Sequence, residues 1–224
     1  MQYCFTNRFG GISKAPYESF NLGLHVNDDA SHVAHNRMLL KAQCDVSHVM
    51  FMNQVHGDNV VAVLGHEPVP TCDAMVTNQK GIALAVMVAD CIPILIYDPV
   101  HEAIGVVHAG RAGSALHIGI RCLEVMHRVY GSCAEDMKVW MGPSIGSCCY
   151  EVTKEVTAGL ETCLQHRDDH LFLDLSAFNR ADFLAFGVKQ ENIVSSTICT
   201  CCDSNYFSYR RDKITGRFVG VIWL

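Results

Sequence analysis

Apolar positions along this chain follow two rhythms. Short uninterrupted runs at residues 82–88, 92–97 and 103–107 succeed one another with only a turn between them, each rich in Val and Ile and too short for a buried helix. Such runs predict strands covered on both faces, gathered in a core sheet. Shorter strands are predicted at 49–52, 60–64, 138–141 and 193–200, with a closing pair at 206–210 and 218–223 joined by a turn over 213–216. The second rhythm spaces apolar side chains three and four apart. It predicts a helix through 36–40 behind the N-caps Asp28, Asp29 and Ser31, and a second with Leu116, Ile120, Leu123, Met126 and Tyr130 on one stripe, closed by Gly131. Two more are expected, one with Val152, Val156, Leu160 and Leu164 on its face and one capped by Asp174 or Ser176 and ending near Gly187. The first thirty residues carry turn chemistry at Gly10-Gly11, Ala15-Pro16 and Asn21-Leu22-Gly23. No linker, repeat or low-complexity tract divides the chain. The elements together predict a mixed α/β (α+β) fold, a single domain over residues 1–224 with a central mixed β-sheet core flanked by helices.

Composition narrows the function classes. Half of the 224 residues are apolar and 18% are charged, which gives material for a deep core. A formal net charge of −6 with no Lys/Arg run argues against a nucleic-acid partner. No stretch reaches the length of a membrane span, and no cationic leader with a long apolar segment opens the sequence, so a cytoplasmic protein away from the membrane is expected. In that compartment the 12 cysteines read as reduced thiols rather than as a disulfide framework.

Candidate chemistry lies at three places where apolar runs end in turns: Gln54-Val55-His56-Gly57, Ala89-Asp90-Cys91-Ile92-Pro93 and Val107-His108-Ala109-Gly110. Two imidazoles and one thiolate without an obvious fourth partner form the donor set of a catalytic zinc, whose open position holds a water or a substrate oxygen. Gln54 and Asp90 are the neighbouring polar groups expected to support these ligands. Sequence spacing alone does not bring the three together; their convergence is an expectation about the fold. Two alternatives stay open. Cys91 activated by His56 or His108 could act as a nucleophile on an amide, and copper could replace zinc, although no H-x-H pair suggests a multicopper cluster. Cys148-Cys149 and Cys199-Thr200-Cys201-Cys202 are expected to remain free thiols, since C-x-C-C lacks the two separated pairs of a zinc ribbon.

Eight segments in order resemble the YfiH-type laccase-domain family, also called polyphenol oxidase or laccase-like multicopper oxidoreductases and understood as purine nucleoside phosphorylases. They are Thr6-Asn7-Arg8-Phe9-Gly10-Gly11-Ile12-Ser13, Ser19-Phe20-Asn21-Leu22-Gly23, the three segments carrying His56, Cys91 and His108, Asp73-Ala74-Met75-Val76-Thr77, Gly142-Pro143-Ser144-Ile145-Gly146 and Phe207-Ser208-Tyr209-Arg210-Arg211-Asp212. The resemblance implies a YfiH-like α/β domain with zinc (Zn2+) held by His56, Cys91 and His108, and copper as the less favoured ion. It also implies phosphorolysis of purine nucleosides (adenosine, inosine, guanosine and methylthioadenosine) by phosphate, with adenosine deamination as a second activity; for bacterial relatives it suggests amide editing of cell-wall precursors as an alternative. One departure stands out: where the family continues His-Ala-Gly with Trp-Arg-Gly, this chain has Arg111-Ala112-Gly113. Arg111, at an expected helix start, is a candidate phosphate ligand. Arg8, Asn21 and Arg210 are further candidates for the substrate pocket, and Arg210 and Arg211, if on a strand, face opposite ways.

Overall fold

The computed structural model describes residues 1–65 and 67–224. Strand β1 (Gln2–Phe5) leads into a long loop, and helix α1 (Ala30–Cys44) follows. Asp29 starts this helix by accepting from Ser31 N at 2.8 Å, and Asp45 ends it in the left-handed region at φ 51°. The buried Asn36 of α1 donates to Ser13 Oγ, Ser19 O and Asn21 O, which straps the N-terminal loop onto the helix.

Six strands come next: β2 (His48–Met50), β3 (Val60–Ala62), β4 (Ala74–Thr77), β5 (Ile82–Val88), β6 (Ile92–Asp98) and β7 (Ala103–Ala109). Helices α2 (Arg111–Ala115) and α3 (Ile118–Tyr130) lead to β8 (Lys138–Met141). A small antiparallel sheet of β9 (Glu151–Val152), β10 (Leu164–Arg167) and β11 (His170–Leu173) precedes α4 (Leu175–Phe186). Strand β12 (Ile193–Ser195), the one-turn helix α5 (Tyr209–Asp212) and β13 (Phe218–Trp223) complete the chain.

The strands do not share one central sheet. They form a four-stranded sheet in the order β1-β13-β5-β2 and a six-stranded sheet in the order β12-β8-β6-β7-β4-β3, each with parallel and antiparallel pairs. Alternation along the strands explains the stack. Leu84, Val86 and Val88 of β5 meet Leu95 of β6 and Ile104 and Val106 of β7 in a core between the two sheets. Ala83, Ala85 and Met87 point the other way, into a core shared with Leu40 and Cys44 of α1. On the outer face of the six-stranded sheet, Ile92, Ile94, Ile96, Val107 and Ala109 pack against Leu123 and Met126 of α3 and Phe178 and Phe183 of α4. The layers therefore run helix, sheet, sheet, helix. A strand enclosed on both sides has no polar face to display, which is why these runs show no alternation in sequence.

Four expected elements take another form. The stripe beginning at Leu116 breaks at His117, whose φ is 57°, so α2 and α3 are separate and Leu116 is 47% exposed. Residues 151–167 form β9, two 3-10 turns and β10 rather than a helix on Val152, Val156, Leu160 and Leu164. The β-branched Thr153, Val156 and Thr157 disfavour that helix, and Gly159 breaks it at φ 80°. The strand expected over 206–210 is replaced by α5, because the Ser208 hydroxyl caps it by accepting from Arg211 N at 3.2 Å. The strand expected over 193–200 stops at Ser195.

Candidate metal centre and its cavity

Strand parity places the first ligand. His108 continues the row of Ile104 and Val106 on β7, so its side chain emerges between the two sheets at the end of the strand. Cys91 stands in the turn from β5 to β6, where Asp90 adopts φ 93°, and His56 sits at φ 61° in the loop between β2 and β3. Left-handed backbone at two non-glycine residues is strain that the surroundings must hold in place. The result is convergence: one ligand atom each from His56, Cys91 and His108 lies within 4.8 Å of the others. The two imidazoles meet edge to face at 4.7 Å. Gly110 leaves room for them, since a Cβ there would stand 2.9 Å from Cys91 Sγ and 3.2 Å from His56 Cδ2.

The supporting carboxylate is Asp73, not Gln54 or Asp90. Asp73, fully buried at the start of β4, lies with Oδ1 2.8 Å from His108 Nδ1 and accepts the backbone N–H groups of His56 at 2.9 Å and Gly57 at 2.8 Å. It thus orients one ligand and fixes the loop that carries another, leaving His108 Nε2 as the nitrogen to offer a metal. Gln54 instead pairs with the backbone of Met87, and Asp90 accepts from Thr200 Oγ1 at 2.7 Å and Arg210 N at 2.6 Å. The sequence signal for Asp73 was a charge opening the short, largely apolar run Ala74-Met75-Val76.

Electrostatics match the donor set. Burial would push the Cys91 thiol up, but the positive charge of His108 and hydrogen bonds from both histidines outweigh it and bring the group down to about 6. Burial likewise opposes charge on His108, and there the Cys91 thiolate and the Asp73 carboxylate prevail, raising it to about 9.

The centre opens on a cavity of about 610 Å³, within the range of small-molecule sites. Arg111, Arg210, Lys213 and Arg217 line it, against one carboxylate, Asp90, and Tyr150 and Tyr209 add aromatic surface. Arg111 Nη1 donates to Val156 O at 2.9 Å, and both terminal nitrogens of Arg210 donate to Glu151 O at 3.0 Å. The segment expected to be a helix therefore supplies the carbonyls that aim both arginines. Helix α2, opening at Arg111, has five residues and offers little dipole, so any hold on an anion falls to the guanidinium.

Arg8 and Asn21 lie outside the cavity wall. Arg8 donates to Glu18 O at 2.8 Å and covers the Phe207 ring. Asn21 is fully buried and accepts from Arg217 N at 2.8 Å, so it holds a lining residue without reaching the cavity itself. Arg211 is occupied by Thr200 O and Tyr206 O at 2.7 and 2.8 Å. Sequence reading missed Lys213, which lay in an expected turn, Arg217, which lay between that turn and the last expected strand, and His25, whose burial, followed by the charges of Arg217 and Arg37, lowers its pKa.

A mixed α/β fold of stacked sheets, with a candidate metal-binding group of three residues facing a cationic cavity, defines the class. A family model described as multi-copper polyphenol oxidoreductase laccase matches residues 2–224, and the chain belongs to that family. It is 36% identical to a purine nucleoside phosphorylase of Streptomyces griseus, over 99% of this chain and 94% of that protein. It is also 36% identical to the purine nucleoside phosphorylase YfiH of Escherichia coli, over 99% and 93% of the two chains. The crystal structure of the YfiH protein of Bacillus licheniformis superposes with a TM-score of 0.95 at 31% identity, covering 99% of this chain and 92% of that one.

Proposed function

We propose that the protein is a zinc-dependent purine nucleoside phosphorylase. The carrying observation is the cavity, in which the ligands His56, Cys91 and His108 share one wall system with Arg111, Arg210, Lys213 and Arg217 in a chain whose net charge is −6. Full-length relatives bearing that name support the reading. Two nitrogens and one thiolate within reach of a common point, one nitrogen oriented by a buried carboxylate, fit zinc. Bound there, the ion would supply Lewis acidity toward an oxygen of the nucleoside. The arginines hold inorganic phosphate by charge-assisted hydrogen bonds and present it to the anomeric carbon. Phosphate oxygen forms the new bond as the glycosidic bond breaks, and its electron pair departs with the purine. Tyr150 and Tyr209 offer apolar faces for the base. His25, disfavoured as a cation by burial and by the charges of Arg217 and Arg37, offers the cavity a hydrogen-bonding ring nitrogen.

Incubation with inosine and phosphate tests this. Hypoxanthine and ribose 1-phosphate should appear in equal amounts only when phosphate is present; hypoxanthine formed equally without phosphate contradicts the reading. Adenosine deamination belongs to the same proposal and would show as inosine made from adenosine in phosphate-free buffer. The family description names copper and phenols, but among the described residues the metal-ligand groups are one of two histidines with a cysteine and one of cysteines alone. A multicopper centre would need more histidines.

One observation favours a second reading. Asp73, His108 and Cys91 line up as carboxylate, imidazole and lowered-pKa thiol, which is also the arrangement of a cysteine amidase. Amide hydrolysis that persists in metal-free protein and is lost on thiol alkylation would select it. The 12 free cysteines suit a cytoplasmic setting under either reading.

A further inference from the structure

Four thiols outside the centre converge at a second place. Cys148 and Cys149 lie on the loop after β8, and Cys199 and Cys202 on the loop after β12. Their Sγ atoms all lie within 4.8 Å of one another, with Cys148 to Cys202 at 3.7 Å and Cys149 to Cys202 at 3.3 Å. Zinc bound at about 2.3 Å to four thiolates sets its sulfurs on a tetrahedron with edges of about 3.8 Å. Small rotamer shifts therefore suffice to close the site. A single disulfide would need two of these thiols and gives no reason for the other two to be there.

The backbone is arranged to match. Gly146 N donates to Cys199 Sγ at 3.2 Å, and Cys202 N closes a turn on Cys199 O at 3.1 Å, so Cys199-Thr200-Cys201-Cys202 folds as a knuckle with its first and last sulfurs on one side. Cys201 lies outside the group. In sequence the run shows three cysteines and one short spacing; the second pair arrives from fifty residues away across the bridge between Ser144 and Cys199.

We propose that Cys148, Cys149, Cys199 and Cys202 bind a zinc ion as a closed, four-thiolate structural site, releasing their thiol protons to solvent. Its position gives it a task. The first loop carries Ile145 and Tyr150 into the cavity wall, and the second carries Thr200, whose hydroxyl donates to Asp90 at 2.7 Å. A metal joining the loops fixes that wall without touching the substrate. Two ions of different character follow for one chain: an open two-histidine, one-cysteine centre and a closed tetrathiolate.

Metal content and cobalt spectroscopy separate the sites. Protein purified without oxygen should hold two zinc ions per chain, and Cys148→Ser/Cys202→Ser should hold one. Titrating metal-free His56→Ala with Co2+ should give one equivalent with the intense sulfur-to-cobalt charge-transfer bands of four thiolates. That titration isolates the site even if the double serine variant does not fold, and it is independent of whether the protein is a phosphorylase. Wild-type protein with one zinc that the double variant retains would overturn the proposal. So would a His56→Ala titration without tetrathiolate bands, or recovery of a Cys149–Cys202 disulfide from protein handled anaerobically.

Discussion

Asp73 performs four tasks with two oxygens, holding His108 and the amides of Val55, His56 and Gly57. Asp73→Asn keeps the shape and removes the charge, so zinc affinity should fall roughly 10–100-fold, measured by competition with a chromophoric chelator; an unchanged affinity would remove Asp73 from its supporting role. A pH dependence follows from the pair it supports. In metal-free protein, the stability due to the lowered Cys91 thiol is whole above its unfolded value near 9.0 and disappears as pH falls through about 6. The stability due to raised His108 is whole below its unfolded value near 6.5 and disappears as pH rises through about 9. Because each group's charge supports the other's, the stability advantage over Cys91→Ala should be largest between about 6 and 9 and narrow on both sides. Urea midpoints below, inside and above that window check it, and a difference independent of pH would contradict it. The three residues that converge were readable as polar residues ending apolar runs, whereas Asp73 was not readable as their support. Its partner lies 35 residues away, and only the pairing of β4 with β7 brings them together.

Among the elements, strands buried on both faces were the most legible, because a run such as residues 82–88 admits no exposed face. The helical stripe was half legible. Leu123 and Met126 are fully buried against the six-stranded sheet, where Cys122 and Met126 close over Gly105: a Cβ there would stand 3.1 Å from Cys122 Sγ and 3.4 Å from Met126 Sδ. Leu116 sits before the break at His117. Leu123→Ala should therefore cost about 2–5 kcal/mol of unfolding free energy, and Leu116→Ala within about 0.5 kcal/mol, by urea denaturation. Equal costs would mean that the stripe is continuous after all. Least legible were residues 151–167 and 206–212, which aim the arginines. Their backbone is set by long-range contacts, Arg210 to Glu151 O between the two segments and Arg111 of α2 to Val156 O, and no local period records such a contact. Arg210→Ala should raise KM for phosphate roughly 10- to 100-fold with a smaller change in KM for inosine; a KM for phosphate like that of the unaltered enzyme would exclude Arg210 from phosphate binding.

At the scale of the whole molecule, the two stacked sheets explain where the site is. Each sheet was legible as a set of strands, but their division was not, since β5 and β6 are consecutive in sequence and part into different sheets at the Asp90-Cys91 turn. That parting opens the end of the sandwich and leaves Cys91 and His108 at its mouth, beside the loop that carries His56. Among the described residues no helix is long and apolar enough to cross a membrane, and the enclosed layers account for the apolar half of the composition. The central claim is that an ion held by His56, Cys91 and His108 supports phosphorolysis. Its most direct measurement is phosphate-dependent hypoxanthine release by metal-depleted protein as zinc is returned, with Cys91→Ser treated alongside. Activity should be absent after depletion, return with zinc in the unaltered protein and stay absent in Cys91→Ser. Full phosphorolysis by depleted protein, or its return in Cys91→Ser, would contradict the account.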